Sequence, residues 1–190
     1  MKVFDDREIH DAVRVLRGDV WRLASLGKSV CGREIPMLIG GQGKKAVVYV
    51  AAHHGMERLT AGLLIDFVSE TAERMAHNEN VFDISVRTML QNVTLYIIPM
   101  LNPDGVHIGL YGVEKSDPRY TSLVAMNGRD DFSHWQANAN GVDLNHNYDA
   151  GFEEYRRLAE NVDMLPGPTR YGGVRPESEP ETAALAGGAR

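Results

Sequence analysis

Apolar and polar residues alternate along the first half of the chain with a period that changes from segment to segment. Ile9, Ala12, Val13 and Leu16 fall at helical spacing between Arg7 and Arg17, which predicts a short amphipathic helix. Val20–Lys28 and Glu34–Gly40 read as two strands joined by a Gly-containing turn. The run Ala46–Ala52 is continuously apolar and rich in β-branched residues, the pattern of a strand buried on both faces. Thr60–Met75 returns to helical spacing, with Leu63, Leu64, Phe67, Val68, Ala72 and Met75 as the predicted apolar side. A second buried strand follows at Val93–Met100.

Strand, helix, strand in this order predicts a crossover unit in an α/β sheet with helices on both faces. Ligands in such folds gather beyond the carboxyl ends of the strands, where segments 53–57 and 101–105 fall. Residues 106 to 170 are rich in Gly, Asn, Asp and Pro and read as one long loop region. Further on, Ser178, Glu179, Pro180 and Glu181 carry the marks of a helix start. No internal repeat or low-complexity tract breaks the chain, so residues 1–190 are read as a single domain.

Composition narrows the class. The 190 residues are 43% hydrophobic and 24% charged, as in a globular domain with a real core. Twenty basic against 26 acidic residues, spread along the chain, offer no clustered basic face for nucleic acid. No stretch reaches the ~18 uninterrupted apolar residues of a membrane helix, and the acidic N-terminus does not read as a signal peptide. A lone cysteine, Cys31, cannot form an internal disulfide; it reads as a bystander thiol and points to a reducing, cytoplasmic setting.

The candidate chemistry starts at His54 and Glu57, a His-x-x-Glu pair directly after a buried strand. Imidazole and carboxylate at this spacing converge on one zinc ion from a tight strand-to-helix turn. The same pair also reads as an exposed His beside a helix-start Glu. His53 faces the other way if the strand continues and is the poorer ligand. Around Gly141–Asn147, Asp143 can accept a hydrogen bond from a metal-bound His and Asn145 can donate to a substrate carboxylate; an Asn-rich turn is the alternative. Asn102–Gly105 is a turn by composition, with a structural role. Glu179 and Glu181 read as helix-end carboxylates rather than catalytic ones.

In order, His54-Gly55-Met56-Glu57, Leu101-Asn102-Pro103-Asp104-Gly105, Gly141-Val142-Asp143-Leu144-Asn145 and Ser178-Glu179-Pro180-Glu181-Thr182 give the chain its resemblance to the zinc metallocarboxypeptidases of the carboxypeptidase A/B (funnelin) family, over roughly residues 20 to 185. The resemblance implies a carboxypeptidase-like mixed α/β sheet and one catalytic zinc held by His54 and Glu57. It further implies that Asp143 orients His54 and that Asn145 helps grip the substrate's terminal carboxylate. The segment 145–151 is similar to that of bacterial members acting on γ-D-glutamyl-diaminopimelate peptides, which implies a cell-wall peptide as substrate.

Three departures qualify this. His146 stands where the family usually has an Arg for the terminal carboxylate. Gln136 stands where an oxyanion-stabilising Arg is frequent, with Arg129 as a candidate substitute. The family's third zinc ligand, substrate-covering Tyr and catalytic Glu are expected beyond residue 190, so the C-terminal strands are expected to be missing and the catalytic base is unassigned. A sheet left open in this way is expected either to pair with a second copy through its exposed edge or to be unstable as a monomer. The alternatives are a truncated, inactive binder of metal or peptide, and a zinc deacylase of related fold in which His134 or His146 completes the site.

Overall fold

A computed structural model describes residues 2–159 and 164–189. The principal sheet has four strands, β1 (Trp21–Lys28), β2 (Glu34–Gly41), β3 (Lys45–Val50) and β6 (Val93–Ile98), in the order β1-β2-β6-β3. β1 and β2 form the expected antiparallel hairpin, β6 runs antiparallel to β2, and β3 runs parallel to β6, so the sheet is mixed. A small hairpin, β4 (Asn80–Val81) with β5 (Ile84–Ser85), stands apart from it.

One face is covered by α1 (Glu8–Leu16), α2 (Arg58–Ala76) and α3 (Val86–Asn92). Ile9 and Val13 of α1, and Ala61, Ile65 and Val68 of α2, bury against Trp21, Leu38, Leu95 and Ile97. The Trp21 indole donates to the Val68 carbonyl at 3.0 Å, so its polar edge is satisfied inside the core. On the opposite face Leu185 of α7 (Pro180–Ala189) packs with Leu26, Met37, Val50 and Ile98. Helices on both faces are therefore observed. Among the described residues no helix is long and apolar enough to cross a membrane.

Three expectations need correction. The 46–52 run is not an interior strand: β3 is the edge of the described sheet, with Val48 42% and Tyr49 45% exposed. An apolar run reports β propensity and partial burial, and cannot say whether a neighbour lies on each side. Its last two residues have left the strand, and Ala52 turns the chain at φ 48°. Second, the 106–170 region contains helices. Asn102 caps α4 (Pro103–Tyr111) by accepting from the Gly105 amide at 2.8 Å, and α5 (Tyr120–Asn127) and α6 (Phe152–Ala159) follow. Short helices rich in Gly, Asn and Tyr carry too weak a period to stand out. Third, Leu63 faces solvent at 59% exposure, while the smaller Ala61 faces the core.

Candidate functional site

The left-handed turn at Ala52 ends β3 and sets His53 and His54 at the carboxyl edge of the sheet. Gly55 follows because nothing larger fits: a Cβ there would lie 2.3 Å from the Gly105 carbonyl oxygen and 2.6 Å from that of Trp135. This close approach of three backbones brings the 53–57 turn, the α4 cap and the 135–138 loop together. Asn102 locks them, its side-chain amide donating to the carbonyls of His53 (3.0 Å) and Gln136 (3.2 Å). The 102–105 segment is structural, as read from its composition, and it shapes the site directly.

His54 stands between two carboxylates. Its Nδ1 is 2.7 Å from Glu57 Oε1, and its Nε2 is 3.1 Å from Asp143 Oδ1. With an acceptor at each nitrogen the ring is held as imidazolium: the Asp143 bond first, then Glu57, raises its pKa to about 9 against the opposing effect of burial. Burial alone would raise Asp143, but the bonds from His54 and from the Arg170 amide outweigh it and hold its carboxyl at about 2. Asp143 is 3% exposed. Its two oxygens also receive the amides of Asn145 (3.2 Å) and Arg170 (2.9 Å).

This arrangement fits half of a zinc site. Asp143 fixes the Nε2 side of the ring, so Nδ1 is the nitrogen turned to Glu57, and a proton there bridges the two atoms that a cation would join. Among the described residues no group of three His, Cys, Asp or Glu side chains is placed to hold a metal ion. His134 is exposed and does not line the cleft. His146 does line it, but its ring is stacked on Tyr155, with centroids 4.0 Å apart and planes 4° apart. Neither supplies a third ligand, which removes the structural basis for the deacylase alternative. His53 has its Nε2 3.1 Å from the Tyr148 hydroxyl; the strand ends at Val50, so the turn at Ala52 and not strand alternation sets its direction.

An open cleft of about 490 Å³ is lined by His54, Gln136, Asp143, Asn145, His146, Thr169 and Arg170. Gln136, Asn145 and His146 are thus brought to the same hollow as His54. Arg129 is not: it is exposed on the loop after α5, where its carbonyl accepts from Asn127. The arginine that lines the cleft is Arg170 instead, a residue no local pattern marked. Thr169, also unmarked, places its hydroxyl 2.7 Å from Gln136 Oε1 and 3.2 Å from Asp143 Oδ2.

The 177–182 segment braces this loop from behind. Asn147, fully buried, donates to the Gly172 carbonyl and Ser178 hydroxyl and accepts from the Glu179 amide and Thr182 hydroxyl. Glu179 accepts from Asn138 and Asn140, while Glu181 accepts from Asn138 and the Val30 amide. The two carboxylates were read as helix-end charges; their larger role is as buried ties, Glu181 being 0% exposed. Cys31 lies outside the cleft, and burial followed by the neighbouring Asp104 pushes its thiol up to about 11. It is an unreactive thiol, in keeping with a bystander.

A mixed sheet with an imidazole–carboxylate pair at a strand's carboxyl end, oriented by a distant Asp, is the architecture of a metallocarboxypeptidase. Residues 8–187 match the zinc carboxypeptidase model, peptidase family M14, and the chain belongs to that family. The fold aligns with bovine thrombin-activatable fibrinolysis inhibitor at a TM-score of 0.66 and 18% identity, over 100% of this chain and 56% of that one. Carboxypeptidase A from Helicoverpa armigera aligns at 0.59 and 22% identity, over 98% and 42%. In sequence the chain is 32% identical to gamma-D-glutamyl-L-diamino acid endopeptidase 1 of Lysinibacillus sphaericus, over 98% of this chain and 45% of that protein. It is also 32% identical to the uncharacterised protein YqgT of Bacillus subtilis (strain 168), over 97% and 50%. The chain spans about half the length of these relatives.

Proposed function

We propose that the protein is a zinc-dependent peptidase acting on γ-D-glutamyl-diamino acid peptides of the cell-wall type, with His54 and Glu57 as two of its zinc ligands. The observation that carries this reading is the His54 ring held between Glu57 and Asp143. A zinc ion held there supplies a Lewis acid for the scissile carbonyl and for water activation. Asp143 keeps the His54 ring in the tautomer whose Nδ1 is the ligand atom. Gln136 lines the cleft with its oxygen engaged by Thr169, which leaves its side-chain NH2 as the donor it can offer to a developing carbonyl charge. Asn145 and His146 offer donors to a substrate carboxylate. The 32% identical endopeptidase of Lysinibacillus sphaericus supports the choice of γ-D-glutamyl substrates, and the free Cys31 supports a cytoplasmic location.

The test is hydrolysis of a γ-D-glutamyl-diaminopimelate peptide and of a hippuryl amino acid by the zinc-loaded protein. Faster cleavage of the γ-D-glutamyl peptide, abolished by chelator and by His54→Ala, is expected. Equal or faster cleavage of the hippuryl substrate contradicts the substrate assignment. A second reading, weak binding of metal or peptide without turnover, is favoured by one observation: the described residues offer two metal donors and not three.

A further inference from the structure

We propose that Arg170 is the residue with which the cleft grips a carboxylate of its substrate, supplying the guanidinium that position 146 lacks. This rests on the peptidase reading of the cleft and adds to it the part of the substrate that the cleft selects.

Arg170 is tied at its backbone to the metal pair's own support. Its amide donates to Asp143 Oδ2 at 2.9 Å, and its carbonyl accepts from the Tyr155 hydroxyl at 2.6 Å. Between these two anchors the residue is held at φ 70°, a left-handed conformation that a side-chain-bearing residue adopts only when its surroundings impose it. Packing gives no reason for an arginine there, since Arg170 is exposed. The guanidinium makes no hydrogen bond or ion pair among the described residues, although Glu57 and Asp143 belong to the same site. Both of those carboxylates are engaged by His54.

Tyr155 fixes the second wall. Its hydroxyl holds the Arg170 carbonyl while its ring lies flat on His146. The spacing between the arginine and the His-Asn side of the cleft is therefore set by one residue. Besides His54, the Asp143 that engages it and His146, the polar groups that line the cleft with Arg170 are Gln136, Asn145 and Thr169, all neutral. A guanidinium is always charged and presents parallel donors that match the two oxygens of a carboxylate. A free guanidinium beside neutral amide donors is a carboxylate site.

A γ-linked glutamyl peptide carries two carboxylates that meet this description. One is the α-carboxylate left free by the γ-linkage; the other belongs to the diamino acid across the scissile bond. The probes are γ-D-glutamyl-L-lysine and its two singly amidated forms, with affinities measured by calorimetry on the wild type, Arg170→Ala and Arg170→Lys. Alanine keeps both backbone bonds and the same backbone strain, so it removes the guanidinium alone.

Arg170→Ala is expected to bind the unmodified dipeptide about tenfold more weakly, the scale of one charge-assisted pair, and Arg170→Lys to recover only part of this. One amidated dipeptide should bind the wild type as weakly as the unmodified one binds Arg170→Ala, and should be indifferent to that substitution. Whichever amide behaves so identifies the carboxylate. Equal binding of all three probes by wild type and Arg170→Ala overturns the proposal, as does a loss of the same size for all three, or no binding by the wild type. Running the series with and without chelator separates it from the zinc reading, which is judged by metal content in His54→Ala.

Discussion

The His54 ring and the Asp143 carboxylate are 89 residues apart in sequence and 3.1 Å apart in space, Nε2 to Oδ1. Asp143 is itself held by the amides of Asn145 and Arg170, so the imidazole is aimed by a carboxylate that cannot swing away. Partners of this kind typically contribute 10- to 100-fold to metal affinity by fixing tautomer and ring angle. Asp143→Ala should therefore weaken zinc binding about 10- to 100-fold while leaving both ligand side chains in place. Competition against a chromophoric chelator measures it, and unchanged affinity would remove Asp143 from the site.

Glu181 makes stability depend on pH in an identifiable direction. Burial, with Asp104 as the nearby like charge, raises its carboxyl from 4.5 to about 7, opposed by the amides that bond to it and by Asn138. Glu179 and Tyr148 are the other titratable groups beside it. An acid whose folded pKa is raised binds its proton more tightly when folded. The folded state is therefore favoured below about 4.5 and loses that advantage as pH rises through 7. Relative to Glu181→Gln, which cannot titrate, the wild type should lose about 3 kcal/mol between pH 4.5 and pH 8. Denaturant unfolding of both proteins across this range measures the gap. A gap that stays constant would mean that Glu181 ionises as readily as it does in the unfolded chain.

Gly55 is fixed by contact rather than by backbone freedom. An added Cβ would press against the carbonyls of Gly105 and Trp135, neither of which can rotate out of the way. Gly55→Ala should cost about 1–3 kcal/mol or more, and it should lower zinc affinity as well because the turn carrying His54 must shift. A variant with an unchanged unfolding midpoint would show that these three backbones are not as closely packed as described.

How far the sequence discloses all this depends on how local each feature is. His54 and Glu57 are legible because their three-residue spacing encloses the chemistry. Asp143 is legible only through the order of four motifs, since nothing near it in the chain refers to His54. Arg170 leaves no trace, because its backbone conformation is tied to Asp143 and Tyr155, which reach it through the fold. The hairpin and the central β6 were readable from alternation and apolar content. The edge position of β3 was not, because an apolar run looks the same beside one neighbour or two.

That edge has a consequence of its own. Among the described residues β3 is an edge strand with Val48 and Tyr49 exposed, the features that favour strand pairing between chains. The chain should self-associate at raised concentration, and Val48→Lys should suppress this. Size-exclusion chromatography with light scattering decides it, a monomer at every concentration being the contrary result.

The central claim is that His54 and Glu57 form a zinc-holding pair, and zinc content after equilibrium dialysis tests it most directly. With two protein donors in the described structure, affinity should fall well below that of the three-ligand sites of zinc enzymes. The wild type should bind one zinc at saturating metal and release most of it on dialysis, and His54→Ala and Glu57→Gln should each bind none. Zinc that persists in His54→Ala at the wild-type level would place the metal elsewhere and contradict the account.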